Sequence, residues 1–306
     1  MFIYSLKLFG SNWVKSLKFF LYYIVIWGLC FALLLPSIFA FKDLIVTNFK
    51  SNEVLSAFAG VFQMQLGLGL STLVTTAYAT LIDAFALNVG LAVYGLIVIF
   101  VILPFLINVG KYTFCEMLYS YMTSKNKVGF FSAFFKGLKN SLLFALCKVG
   151  YNLIFLCAVF ASVFGMGMIE NTFFITYLLP VVEFVILTLL FALHQISVLG
   201  WMSAIIVFDC NVFEGYRKGF KAVVRHFGKT FTASLVCFAF FWLLVLIFGV
   251  YSMAVLVPFM TTLLCVYDMA IFFSSQGMRF YYNENSILTP KKLEEVDSIN
   301  KTAYLL

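Results

Sequence analysis

The sequence predicts an all-α polytopic membrane protein of about six transmembrane helices, arranged as three hairpin units that are each preceded by a basic amphipathic interfacial helix. Three observations predict it. Of 306 residues, 63% are hydrophobic and only 11% charged, and the mean hydropathy is +1.04, a balance that water-soluble domains do not carry. Several long windows hold one charge or none, as hydrocarbon requires when each buried charge costs free energy. A short basic phrase also recurs three times, each time just before an apolar run.

The apolar runs place spans at Phe19–Phe41, Phe85–Val109, Leu142–Met168, Thr172–Phe208, Phe231–Val250 and Ser252–Phe273. Each is long enough for a hydrocarbon core of about 30 Å at about 1.5 Å per residue. The fourth is overlong and is expected to tilt or to leave the membrane. Short connections after spans three and five predict tight antiparallel hairpins. The first span, with Lys15 and Lys18 ahead of a run ending in "PSIFAF", has the outline of a secretory signal. Ile38 is too bulky for a small-residue cleavage pattern, so the span is expected to be retained.

Lysine and arginine sort by side. Seventeen border one set of span ends, only Lys42 and Lys50 border the other, and Lys148 falls inside a span. Positive charge stays cytoplasmic, which puts both termini in the cytoplasm of a cell membrane crossed many times. The net charge of +7 then points to anionic lipid headgroups as the partner and not to nucleic acid, because the basic residues flank spans instead of forming a separate domain. The seven cysteines are scattered without C-x-x-C spacing and read as small packing residues.

The recurrent phrases are "WVKSLK" at 13–18, "FFKGLK" at 134–139 and "YRKGFK" at 216–221. All fit aromatic, any residue, Lys, small, apolar, Lys, which reads as an internal repeat. At about 100° per residue the paired lysines share one helix face, with the aromatic and apolar residues opposite. Lys15 and Lys18, Lys136 and Lys139, and Lys218 and Lys221 are the expected contacts to lipid headgroups. Trp13, Phe134 and Tyr216 are expected to dip into the interface, with the small residue letting the chain turn into the span. Plain snorkelling of lysines at ordinary span starts is the alternative. The organisation that follows is one membrane domain over 1–275, with repeat units of about 1–110, 111–208 and 209–275, and a cytoplasmic tail at 276–306. The first unit carries an external insertion, 42–84, whose glutamines, glycines and Ser/Thr cluster suit amphipathic helices or a re-entrant piece.

Through "FEGYRKGFKAVVRHFGKTF" at 213–231 and "FFSAFFKGLKNSLLFA" at 130–145, the chain resembles a loose group of bacterial six-helix integral membrane proteins. That group includes the membrane domain attached to some glycerophosphodiester phosphodiesterases. The resemblance implies a bacterial membrane architecture over most of the chain and transfers no catalytic residue, because the phosphodiesterase chemistry belongs to an appended soluble domain.

Four ionisable groups fall within the spans: Lys148, Glu183, His194 and Asp268. Burying them costs several kcal/mol unless they are paired or wet, which makes them the candidate intramembrane polar site. Lys148 has Asp268 or Glu183 as a possible partner, and such a pair would be a structural tie or part of a polar pathway. Pro180 and Pro258 are expected to kink their helices. The chain has no H-E-x-x-H, G-x-S-x-G or P-loop pattern. With His194 and His226 its only histidines, no metal, cofactor or catalytic residue is expected. In the tail, Thr289 and Pro290 suit the start of a short helix, on an end expected to be mobile. Two functions remain open: a scaffold or accessory subunit that binds lipid and protein partners or itself, and a transporter or lipid-handling permease with a polar site between hairpins.

Overall fold

The computed structural model describes residues 2–49, 79–167, 173–228, 253–283 and 286–288, with Thr76, 230–232 and 234–236. Most of the external insertion, most of the expected fifth span, the Thr289 helix start and the rest of the tail lie outside the described residues. Ten helices can be bounded: α1 Phe2–Ser11, α2 Trp13–Phe49, α3 Val89–Ile97, α4 Leu103–Ser124, α5 Phe130–Lys136, α6 Leu138–Gly167, α7 Phe173–Val198, α8 Trp201–Phe208, α9 Val212–Val224 and α10 Met253–Ser275. Two strands, β1 Phe280–Asn283 and β2 Ser286–Leu288, form an antiparallel hairpin. Among the described residues, five helical stretches are long and apolar enough to cross a membrane: Trp13–Asn48, Val89–Ser124, Leu138–Ser162, Thr188–Phe208 and Val255–Ser275. They overlap expected spans one, two, three, four and six.

Local chemistry explains the interruptions. Asn12, 3% exposed, ends α1 and starts α2: its side-chain amide donates to the Leu8 carbonyl, and its own carbonyl accepts from Lys15 N–H. Asn88 caps α3 by accepting from Leu91 N–H at 3.1 Å. Between α3 and α4 lies one π turn, Val98–Ile102, in which Leu103 N–H reaches back five residues to Val98 O. Pro104 follows directly. A proline lacks the N–H for the ordinary bond and its ring crowds the carbonyl four residues back, and the wider turn absorbs both.

The expected fourth span is two helices, not one. The apolar run continues to Phe208, but the backbone leaves the helix at Gly200, with φ +82°, and resumes as α8. Asp209, with φ 45°, ends α8, and Asn211 then caps α9 by accepting from Glu214 N–H.

The chain divides into two compact units: Met1–Ile24, Ile107–Cys147 and Leu193–Leu306 in the first, and Val25–Leu106 and Lys148–Ala192 in the second. Among the described residues, thirteen of the fifteen lysines and arginines belong to the first unit, and Lys42 and Lys148 to the second. The core of the first unit holds fully buried Phe19, Phe114, Met117, Ile205, Met269 and Phe272, with Phe19 stacked on Phe114 at 5.2 Å. Residues 280–288, expected to open the tail, are instead part of this unit. Phe280 and Leu288 are buried, Tyr282 packs edge-on against Tyr4 at 5.1 Å, and Ser11 Oγ donates to Tyr282 O.

In the second unit α2 and α3 cross closely. Ser37 Oγ donates to Leu91 O at 3.0 Å, Tyr94 O–H donates to Leu33 O at 2.9 Å, and a Cβ on Gly95 would lie 3.3 Å from Ser37 Oγ. Small residues and hydroxyls at the crossing are how helices associate where water supplies no hydrophobic drive. The insertion's first residues, 42–49, simply continue α2, and helical residues 79–87 return toward it, with Asn48 donating to Thr80 at 3.0 Å.

Candidate functional site

Several charged and polar groups of the first unit lie on α4, α9 and α10. The recurrent phrase is one of its building blocks, through the small residue. In the third phrase Gly219 lies mid-helix in α9, pressed against the Gly200 turn. A Cβ on Gly219 would sit 2.4 Å from the Gly200 carbonyl carbon, and one on Gly200 would sit 2.9 Å from Gly219 O. One turn earlier Gly215 meets Ile205. Two glycines four apart on α9 therefore admit the backbone of α8, and Trp201 Nε1 donates to Val212 O at 2.8 Å beside them. In the second phrase Gly137 breaks the helix between α5 and α6, as expected, and lies against the Tyr112 ring. In the first, Ser16 stays inside α2, buried, with its hydroxyl donating to Asn12 O. The expectation that the small residue turns the chain holds at Gly137, whereas Ser16 and Gly219 serve packing.

Asp268 of α10, 6% exposed, closes this junction by accepting from Gly200 N–H at 2.5 Å. A buried carboxylate held by a backbone N–H at a left-handed turn is a strong, charge-assisted tie. His194 of α7 belongs to the same unit and is half-buried, with its carbonyl accepting from Ser197 Oγ. Lys148 and Glu183 belong to the other unit. Lys148 Nζ lies 5.8 Å from the Tyr151 ring centroid, and Glu183 lies on α7. The four candidate residues thus divide two and two.

Two further charges of the first unit, Glu116 and Lys15, are buried. The expected second span ends at Val109, yet α4 runs unbroken to Ser124 and carries Glu116 buried. Lys111 of the same helix is half-buried. Glu116, 6% exposed, pairs with Lys136 at 2.5 Å, and that hydrogen bond raises the Lys136 ammonium above its ordinary pKa. Lys15 is also buried: its ammonium donates to Met117 O at 3.1 Å and sits 4.7 Å above the Tyr121 ring.

The remaining phrase lysines face outward. Lys18, Lys139 and Lys221 are exposed, and Lys218 is half-buried, paired with Glu214 at 2.8 Å. Apolar side chains are exposed around them as well. On α9, Phe213 is 80% exposed, and Phe220 and Val224 are also open. At about 100° per residue these three fall within an arc of about 40°. Arg217 lies within about 20° of that arc and Lys221 flanks it, both exposed. On α5, Phe131 and Phe135 are exposed beside Lys136. Near α1 and the start of α2, Ile3, Trp13 and Val14 are exposed beside Lys18.

Among the described residues no three His, Cys, Asp or Glu side chains gather as a metal site would need. Comparison with models of known families, with curated proteins and with solved structures finds no match to this chain.

Proposed function

We propose that the protein is a membrane scaffold or accessory subunit without a catalytic domain, which binds anionic lipid along its basic side and offers that side to protein partners or to a second copy. The observation that carries this is α9: one face is closed on α8 through Gly215 and Gly219, while the other presents Phe213, Phe220 and Val224 beside Arg217 and Lys221. An aromatic and aliphatic stripe bordered by cations suits the headgroup region of an acidic bilayer, where apolar burial and Coulomb attraction add. The same pairing recurs at α5 and at the start of α2, and all three phrases belong to one compact unit.

Three further features support a static role. Asp268 is bound to Gly200, Lys15 to Met117 and Glu116 to Lys136, so these charges tie helices together. We place both termini on the cytoplasmic side of a bacterial cell membrane, on the asymmetry of lysine and arginine. The proposal keeps six spans in three hairpin units.

The test is depth measurement by nitroxides at positions 213, 220 and 224, with the protein in vesicles of phosphatidylcholine containing or lacking phosphatidylglycerol. The expected result is burial of all three labels below the phosphate level, deeper with the anionic lipid. Labels that stay in water in both compositions would remove the lipid-binding reading.

A further inference from the structure

A second site lies apart from α9. A cavity of about 400 Å³ opens in the first unit where the end of α4, the end of α10 and the hairpin meet. That volume falls in the range of small-molecule sites. Its floor is apolar: Phe273 and Phe280 are fully buried and pack edge-on at 5.9 Å, with Met278 and Ile287 beside them. Among the described residues its polar lining is Thr123, Arg279 and Tyr281. The Thr123 hydroxyl donates to Tyr119 O, which leaves Arg279 as the strong donor facing the space.

The backbone places these groups through two left-handed residues. Gly277, with φ +65°, ends α10 while Met278 N–H bonds back to Phe273 O at 2.9 Å, the six-to-one closure that turns the chain into Arg279. At the end of α4 the equivalent position is Lys125, with φ 57°, its N–H bonded to Tyr121 O. A side chain is strained in that conformation and glycine is the usual occupant. The lysine there sets its ammonium 4.6 Å from the centroid of the Tyr281 ring, the ring that lines the cavity. The Lys125 ammonium is thereby held beside the cavity.

We infer that this cavity binds a phosphate ester carrying an apolar group. The guanidinium of Arg279 matches two phosphate oxygens with parallel N–H groups. Lys125 adds positive potential from the side, and Phe273, Phe280, Met278 and Ile287 receive the apolar group. An anionic lipid headgroup and a soluble aryl phosphate share this chemistry. The inference is independent of the lipid-facing role of α9.

The experiment uses the full chain in phosphatidylcholine nanodiscs, titrated calorimetrically with phenyl phosphate and with dihexanoyl phosphatidic acid. Saturable binding of at least one is expected, weakened by about tenfold or more in Arg279→Ala. It should be lost in Ile287→Trp, which fills the space. Both positions are on the surface of the hairpin region, and circular dichroism checks that the variants keep the fold. Tighter binding of the phosphatidic acid identifies a lipid headgroup as the ligand, and tighter binding of phenyl phosphate a soluble ester. No saturable binding of either probe, or binding by Arg279→Ala as tight as that of the unaltered protein, overturns the inference.

Discussion

The carboxylate of Asp268 accepts a hydrogen bond from the N–H of Gly200, and this bond fastens α10 to the left-handed turn between α7 and α8. The two residues are 68 positions apart, and both are buried. Replacing Asp268 with alanine leaves a buried N–H without its acceptor, which costs about 1–3 kcal/mol. Asp268→Ala is therefore expected to lower the thermal unfolding midpoint in detergent by several degrees. Asp268→Asn, which keeps an acceptor, should lower it less. An unchanged midpoint in the alanine variant would show that the bond is not a tie.

Gly219 makes a sharper steric prediction. A methyl group there meets backbone atoms of Gly200 and Trp201 at 2.4–2.6 Å, and neither can rotate away. Gly219→Ala should destabilise by about 1–3 kcal/mol, as overpacking does. Gly150→Ala, in open space on α6, should be neutral or favourable, because alanine is the better helix former. Equal effects of the two substitutions on the unfolding midpoint would contradict close packing of α8 on α9.

The Lys136 and Glu116 pair predicts a pH dependence. The hydrogen bond raises the Lys136 pKa above 10.5 in the folded chain, so the folded state holds this proton more tightly than the unfolded state. The contribution is complete below pH 10.5 and is lost as pH rises through the raised value. Because the Lys136 side chain is 68% exposed, the effect should stay below about 1 kcal/mol and shrink in high salt. The midpoint difference between the unaltered chain and Lys136→Gln should be constant from neutral pH to about 10 and close above 10.5.

Lys125 predicts a gain. In the left-handed conformation a non-glycine residue costs about 1–2 kcal/mol, so Lys125→Gly should raise the unfolding midpoint while weakening phosphate-ester binding. A variant that gained no stability would show that the strain is absent.

The membrane class was legible because composition and charge-poor windows record the solvent directly. Among the described residues, five of the six expected spans overlap long apolar helical stretches. The break at Gly200 was not legible: "SVLGWMSAIIVF" carries no charge, and the contacts at the break are tertiary, namely Asp268 on the N–H and the missing side chain of Gly219. The hairpin was missed for a different reason. "RFYYNENSIL" carries β-prone aromatic residues around a turn-forming Asn-Glu-Asn, but it was read as the start of a polar tail. It packs on α1, with Ser11 bonded to Tyr282 across 271 positions. Among the charges, Asp268 was found because it interrupts an apolar run. Glu116 was not, because α4 extends past the apolar window that ends at Val109. Lys15 was assigned to headgroups by its place in the phrase, and only packing against Tyr121 and Met117 reveals it as internal.

The central claim is a static scaffold whose interior charges tie helices, as opposed to a conduit through which a polar substrate moves. Labelling of single cysteines at positions 148, 183 and 268, in an otherwise cysteine-free chain, with a small water-soluble thiol reagent tests it most directly. In membranes holding folded protein, the scaffold account predicts that none of the three reacts. Reaction at all three would reveal a water-connected polar path and contradict it.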